Sequence, residues 1–475
     1  MDGGHGGRGA LAAAEASWLR FDAGHKLEAA YRAPSRNDCP YLRLQGDLQA
    51  SLPLLTMPAI NQTLLSNGLP LYRISVEGAR STTILIAFDA GARTERPDEN
   101  GMAHFLEHLV FKGGEKYSTY RDVNEAAERI GAVLNAYTSH DLVAFHITAR
   151  ASTALQAADL LTDFVGRPRV DADELNRERG VVVQEIARAN DQPAVMAEHL
   201  IDEAAFGDHP LGRPVLGPAA HIRDTFTREG MLAFRDRRWA PDRGGAFLVG
   251  NLGGLPENGE VEELFVRFPS RPAPDPYEPA PPAQPRILVH ERDSNQSHLR
   301  MSYRPGVEID NPSQRAALAI YSTLLGGSMG SRLFDEIREQ RGLAYSVHSI
   351  AHAYADVPVL QLSAGLESGK CIEAYRRMRD IVSELREDGP TEAEVERARA
   401  YAAGARAIAF ENTGAVARHA AQQTIVYGQE VDPDRAIELL DQVTFDEVRE
   451  VAAGVADRLS VACVGPHTVE ELESA

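Results

Sequence analysis

Downstream of Leu64 the chain switches between a two-residue and a 3.6-residue hydrophobic period. Asn67-Gly68 is a strong hairpin signal, because both residues tolerate the left-handed backbone of a tight turn. The β-rich runs LPLYRISVE (69–77) and STTILIAFDAGA (81–92) follow it. Pro97 to Gly101 interrupts the strand pattern, and the next ten residues have helical spacing. A second helix-like run, TYRDVNEAAERIG, precedes the alternating stretch AVLNAYTSHDLVAFHITA. Residues 152–165 and 171–190 return to helical spacing, and 199–217 is Gly/Pro-rich, as expected of a loop. After Trp239-Ala240-Pro241 the run GGAFLVGNL is expected to close the sheet. Strands and helices in this order predict an α+β fold: an antiparallel sheet with helices packed on one face.

A chain of 475 residues exceeds what one core usually serves, so two domains are expected. The sharpest composition shift lies in PSRPAPDPYEPAPPAQPR, whose proline density favours an extended, semi-rigid connector. The reading divides the chain into an N-terminal extension (1–52), a first domain (53–255), a proline-rich linker (256–286) and a second domain (287–470). The second half echoes the first. DADELNRERGVVVQEIARAND (171–191) aligns with TEAEVERARAYAAGARAIAFE (391–411), and FKGG (111–114) aligns with LLGG (324–327). The two domains are therefore expected to be homologous. Polar residues of the first copy face apolar ones in the second: Glu178 meets Ala398, Glu185 meets Ala405, and His104, Glu107 and His108 meet Ala317, Ile320 and Tyr321. A fold that needed those side chains structurally would have kept something like them twice.

The formal charge of −20 opposes nucleic acid or an anionic membrane as partner. No run of about 18 apolar residues suggests a membrane span. The first residues lack the charged start and apolar run of a secretory signal. Cys39, Cys371 and Cys463 lie far apart without C-x-x-C spacing. Neither a disulfide framework nor a cysteine metal site is expected, and a reducing, cytoplasmic setting fits.

The chemistry concentrates in His104-Phe105-Leu106-Glu107-His108. On a helix, His104 and His108 share one face and Glu107 points into the same sector. Two imidazoles and a nearby carboxylate suit a zinc ion and a base for its water. The plain alternative is a polar helix face. A third protein ligand is needed, and Glu178 and Glu185, seven residues or about two turns apart, fall on one helix face. They are either an exposed stripe or, next to Val181-Val182-Val183, buried carboxylates in want of a cation.

HFLEHLVFKGG (104–114), NAYTSHD (135–141), RERGVVVQEI (177–186), HPLGRPVLG (209–217) and GGSMGSRLFDEIREQRGLAYSV (326–347) together resemble the pitrilysin-type zinc metallopeptidases. These are the M16 or inverzincin peptidases, here most similar to bacterial members of the mitochondrial processing peptidase group. The resemblance spans about Leu64 to Val464. It implies that His104, His108 and Glu185 hold one Zn2+ per chain and that Glu107 is the general base. It makes Glu178 a supporting carboxylate that orients a ligand. Asn135-Ala136 matches the substrate-binding strand, where an extended peptide adds to a sheet edge; on its own the stretch reads as an interior strand. Arg338 and Tyr345 match an arginine–tyrosine pair brought to the zinc site. Without the resemblance they would be a solvated helix residue and a core aromatic. The implied protein is a zinc endopeptidase acting on short or unfolded peptides, most simply a homodimer enclosing a chamber. Two alternatives are the catalytic half of a heteromeric peptidase and a peptide-binding subunit without turnover.

Overall fold

The computed structural model describes residues 60–475 other than 258, 273 and 275. The extension assigned to 1–52, with Cys39, lies outside the described residues. The first half runs β1 (Ile60–Leu64), β2 (Pro70–Ser75), β3 (Ser81–Phe88), α1 (Met102–Val110), α2 (Tyr120–Arg129), β4 (Val133–Thr138) and β5 (Val143–Arg150). It continues with α3 (Ala154–Gly166), α4 (Ala172–Asp191), α5 (Pro193–Phe206), α6 (Arg228–Arg238), β6 (Gly244–Gly250) and α7 (Glu260–Val266). The second half runs β7 (Ile287–Glu291), β8 (Gln296–Pro305), α8 (Pro312–Ser322), β9 (Ala344–Ala353), β10 (Pro358–Glu367), α9 (Cys371–Asp388) and α10 (Glu392–Phe410). It ends with α11 (Thr413–Ala421), α12 (Pro433–Gln442), α13 (Phe445–Ala453), β11 (Val455–Gly465) and α14 (Val469–Glu473).

The sheets have the orders β1-β2-β6-β3-β5-β4 and β7-β11-β8-β10-β9. Without β1 the first order becomes the second on replacing β2, β6, β3, β5 and β4 by β7, β11, β8, β10 and β9. The repeat is thus one topology built twice. Each sheet is mixed rather than wholly antiparallel, because β2 pairs parallel with β6 and β7 with β11. In both halves the last strand returns after a long helical excursion and inserts between two early strands, β6 between β2 and β3 and β11 between β7 and β8. A crossover of that length permits parallel pairing, which no tight turn does.

The expectation of helices on one face also needs correcting. In β3, Ile84, Ile86 and Phe88 enter the large core beneath α1 and α3, while Leu85 and Ala87 between them face the other way. That opposite face is covered by α11, through Val416, Ala417, Ala420 and Ala421. Conversely, α5 lays Ile201 and Ala204 on Ala462 of β11. Each half therefore lends the helix after its long helix to the other half's sheet. Central strands buried on both faces read as continuous apolar runs, as STTILIAF does. The seam carries polar ties as well, with Thr83 and Thr413 hydroxyls 2.8 Å apart and Ser460 donating to the Ala204 carbonyl at 3.1 Å. The proline-rich run is clasped to both halves: the Arg93 guanidinium stacks 4.0 Å from the Tyr277 ring, and Ala280 N–H donates to Asp356 at 2.7 Å.

Candidate active site

Helix α1 is held at its start more firmly than its sequence suggests. Gly101 adopts φ 95°, and Gly217 of the HPLGRPVLG loop adopts φ 67° against it. A Cβ on Gly217 would stand 2.4 Å from the Asn100 carbonyl oxygen, so the two chains can approach this closely only through glycine. Glu95 supplies the cap that the helix lacks locally. Its carboxyl accepts from Ala103 N–H at 2.7 Å and from Gly101 N–H at 2.9 Å, satisfying donors left open at a helix start. Complete burial pushes its pKa up to about 8 against the pull of those donors.

From this base α1 turns His104 and His108 toward α4, their ring centroids 4.7 Å apart. On α4 the buried stripe of Leu175, Glu178, Val182 and Ile186 packs inward with helical spacing. Glu178 is 5% exposed and Glu185, one turn beyond Val182, is half-buried. The structure thus brings together three donors that the sequence separates by up to 81 residues. Glu185 Oε2 lies 3.3 Å from His108 Nε2 and 3.8 Å from His104 Nε2. Two ligands bound at about 2.0–2.1 Å in a tetrahedral arrangement stand about 3.3–3.4 Å apart, so this nitrogen–nitrogen–oxygen set fits zinc. Among the described residues, His104 Nδ1 is buried without a hydrogen-bond partner, and that ring is oriented by packing.

Glu178 does not join the three-donor set. Its Oε1 is 2.9 Å from His108 Nδ1, and its Oε2 is 2.5 Å from Lys112 Nζ. Burial disfavours its charge, but His108 and Lys112 outweigh that and hold its pKa below the usual value. Burial likewise opposes a charge on His108, yet Glu178 and Glu185 raise its pKa to about 9. His104, buried and beside His108, is pulled down to about 4. Glu107 is raised, first by burial, although the Thr138 hydroxyl donates to its Oε2 at 2.5 Å. Lys112, Thr138 and Glu95 are participants that sequence reasoning missed. Lys112 carried a signal, since it lies one turn after His108 on the same helical face. The other two arrive through the fold.

Asn135 and Ala136 lie on β4, the last strand of the first sheet, so the interior-strand reading fails and one edge is unpaired within the sheet. Arg338 lies in a helical turn at Phe334–Gln340, and Tyr345 on β9, the edge strand equivalent to β4. Arg338 stacks 5.7 Å from the Tyr345 ring and 4.7 Å from Phe334, and pairs with Glu339 at 3.4 Å. No member of the three-donor set is among these partners. Tyr345 is 87% exposed, which overturns its reading as a core aromatic. Among the other histidines, His209 contacts the backbone at Leu211 and Glu278, and His348 bonds Ser363. Cys371 and Cys463, 92 residues apart in sequence, meet beside His467 in the second core. No spacing motif announces this.

Comparison with known proteins decides the family. Residues 73–219 match the model for insulinase (peptidase family M16), and 225–401 match that for the peptidase M16 inactive domain. An uncharacterized zinc protease of Mycobacterium tuberculosis is 32% identical over 86% of this chain and 94% of its own length. This chain belongs to peptidase family M16. A second uncharacterized zinc protease, from Streptomyces coelicolor, is 30% identical over 86% of the chain and 90% of its own length. Among solved structures, the fold matches a peptidase M16 inactive domain from Pseudomonas fluorescens with TM-score 0.79 at 19% identity, covering 86% of this chain and 99% of that one. A protease from Helicobacter pylori gives TM-score 0.78 at 21% identity, covering 86% and 100%. Of the two homologous halves, the one matching the inactive-domain model has Ala398 where the first has Glu178. No helix among the described residues is long and apolar enough to cross a membrane.

Proposed function

We propose that this M16 protein is a zinc-dependent endopeptidase of short or unfolded peptides, with His104, His108 and Glu185 as its ligands. The observation that carries the reading is the convergence of His104 Nε2, His108 Nε2 and Glu185 Oε2 beside the Glu107 carboxyl. When bound, zinc supplies a Lewis acid for the scissile carbonyl and lowers the pKa of water. The remaining steps belong to the chain's own residues. Glu107, whose pKa is raised by its burial, takes the proton of the attacking water and passes it to the leaving amine. Thr138 anchors the Glu107 oxygen Oε2, so the other oxygen is left for that transfer. Glu178 holds the His108 ring by Nδ1 and directs Nε2 at the metal position. The unpaired edge of β4 offers main-chain groups to an extended peptide at Asn135-Ala136, and Thr138 on the same strand touches the base.

The test is hydrolysis of a quenched, unstructured peptide by wild type and Glu107→Gln, with zinc measured in both. We expect zinc in both, turnover by wild type, and a fall of at least about 10²–10⁴-fold in the variant. Zinc in both with turnover in neither would favour the heteromeric or the peptide-binding alternative. Zinc in neither would remove the site assignment.

A further inference from the structure

The second core contains a group of metal-ligating side chains that the peptidase reading leaves unused. Cys371 is the first residue of α9, Cys463 lies inside β11, and His467 follows two residues after that strand. Both cysteines are fully buried and unoxidised, and His467 is 7% exposed. One ligand atom from each lies within 4.8 Å of the other two. Zinc bonds of about 2.3 Å to sulfur and 2.0–2.1 Å to nitrogen would set these atoms about 3.6–3.8 Å apart, so a shift of about 1 Å or less closes the set.

We infer that Cys371, Cys463 and His467 form a second zinc site, structural in role, in the C-terminal half. Three features distinguish it from ordinary packing. A core cysteine that acts only as a small hydrophobe needs no imidazole beside it. His467 is already fixed as a ligand ring would be, with Nε2 2.8 Å from Ser297 Oγ and Nδ1 3.4 Å from Glu471 Oε2. Whichever nitrogen binds metal, the other keeps an orienting partner. Gly465 makes this arrangement possible, since a Cβ there would stand 2.5 Å from the Ser297 hydroxyl.

Charge selects the ion. Two thiolates and a neutral imidazole exactly offset a divalent cation, which suits a fully buried site. A monovalent soft ion would leave a net negative charge in the core. Binding releases the two thiol protons to solvent, and no electrons move. A water completes four-coordination without changing that balance.

The experiment starts from a His104→Ala/His108→Ala chain, which lacks the proposed catalytic ligands and retains all three residues of the second site. Purified under reducing conditions with zinc present, it should hold one zinc, and the wild type two. Replacement by cobalt(II) should give the near-ultraviolet thiolate-to-cobalt band, abolished by adding Cys371→Ala or Cys463→Ala and kept in Cys39→Ser. An organomercurial, which attacks thiolates alone, should release that one metal from the chain with both cysteines intact. A metal-free double-histidine variant without the band would overturn the site. So would a Cys371–Cys463 disulfide in the native protein. Zinc in wild type but not in the double variant would overturn this inference and leave the peptidase reading standing. One zinc retained in both, with the band in both, would support this site and count against the other.

Discussion

Glu178 touches the proposed ligand His108 through one oxygen and Lys112 through the other, so its effect passes through the orientation of an imidazole. Glu178→Gln keeps the shape but weakens that bond, and should lower zinc affinity about 10–100-fold while leaving the fold intact. Competition with a chelator measures it, and an unchanged affinity would remove the orienting role. A second carboxyl tests the pH dependence of stability. Burial, then the charge of Glu198, raises Asp202 from 3.8 to about 7, against a 3.1 Å hydrogen bond from Gln361. A carboxyl with a raised folded pKa stabilises most below its unfolded pKa, and that contribution is lost as pH rises through the folded value. Asp202→Asn should therefore match wild type in thermal midpoint near pH 4, gain on it up to about pH 7, and stay ahead by several degrees above. Parallel curves across that range would show that Asp202 is not the group responsible.

The reciprocal loan of α5 and α11 is the feature at the scale of elements that joins the halves. Ala417, Ala420 and Ala421 are fully buried on the first sheet, so α11 approaches it with the shortest side chains available. Ala420→Leu adds three carbons where no space exists and should destabilise by about 1–3 kcal/mol, read as a fall in urea midpoint. A neutral result would mean that α11 lifts from the sheet without loss. The periodicity of residues 413–421 identifies a helix. Its partner sheet, which ends 163 residues before the helix begins, is invisible in that pattern. The same holds for α1, whose capping carboxyl, Glu95, precedes it by seven residues and is separated from it by a proline break.

For the whole molecule, Arg338 and Tyr345 pose the question of completion. They stack on each other at an exposed edge, with no contact to the histidines. A tyrosine 87% exposed suits a group that is covered by substrate or by a second chain. We propose a homodimer enclosing a chamber, in which the pair serves a zinc site as transition-state donors. Arg338→Ala and Tyr345→Phe should each lower turnover by about 10²–10³-fold with little loss of zinc. Sedimentation of the wild type should show a dimer. Loss of zinc in either variant would count against a role confined to the transition state.

The sequence by itself determined the two-fold repeat, the mixture of strands and helices, and the family. The period of each run is a local consequence of which face is buried, and the pentad fixes its own three side chains within five residues. Periodicity narrowed the proposed third donor to Glu178 or Glu185, because both fall on one face of one helix, and the family resemblance selected Glu185. Tertiary structure supplied the distances, placing Glu185 against both Nε2 atoms and Glu178 against Nδ1. It alone decided the parallel strand pairs, the exchanged helices, the anchoring of Glu107 by Thr138 and the meeting of Cys371, Cys463 and His467. Each of these joins segments through closure of the chain in three dimensions, and a one-dimensional period carries no information about which distant surfaces that closure brings into contact.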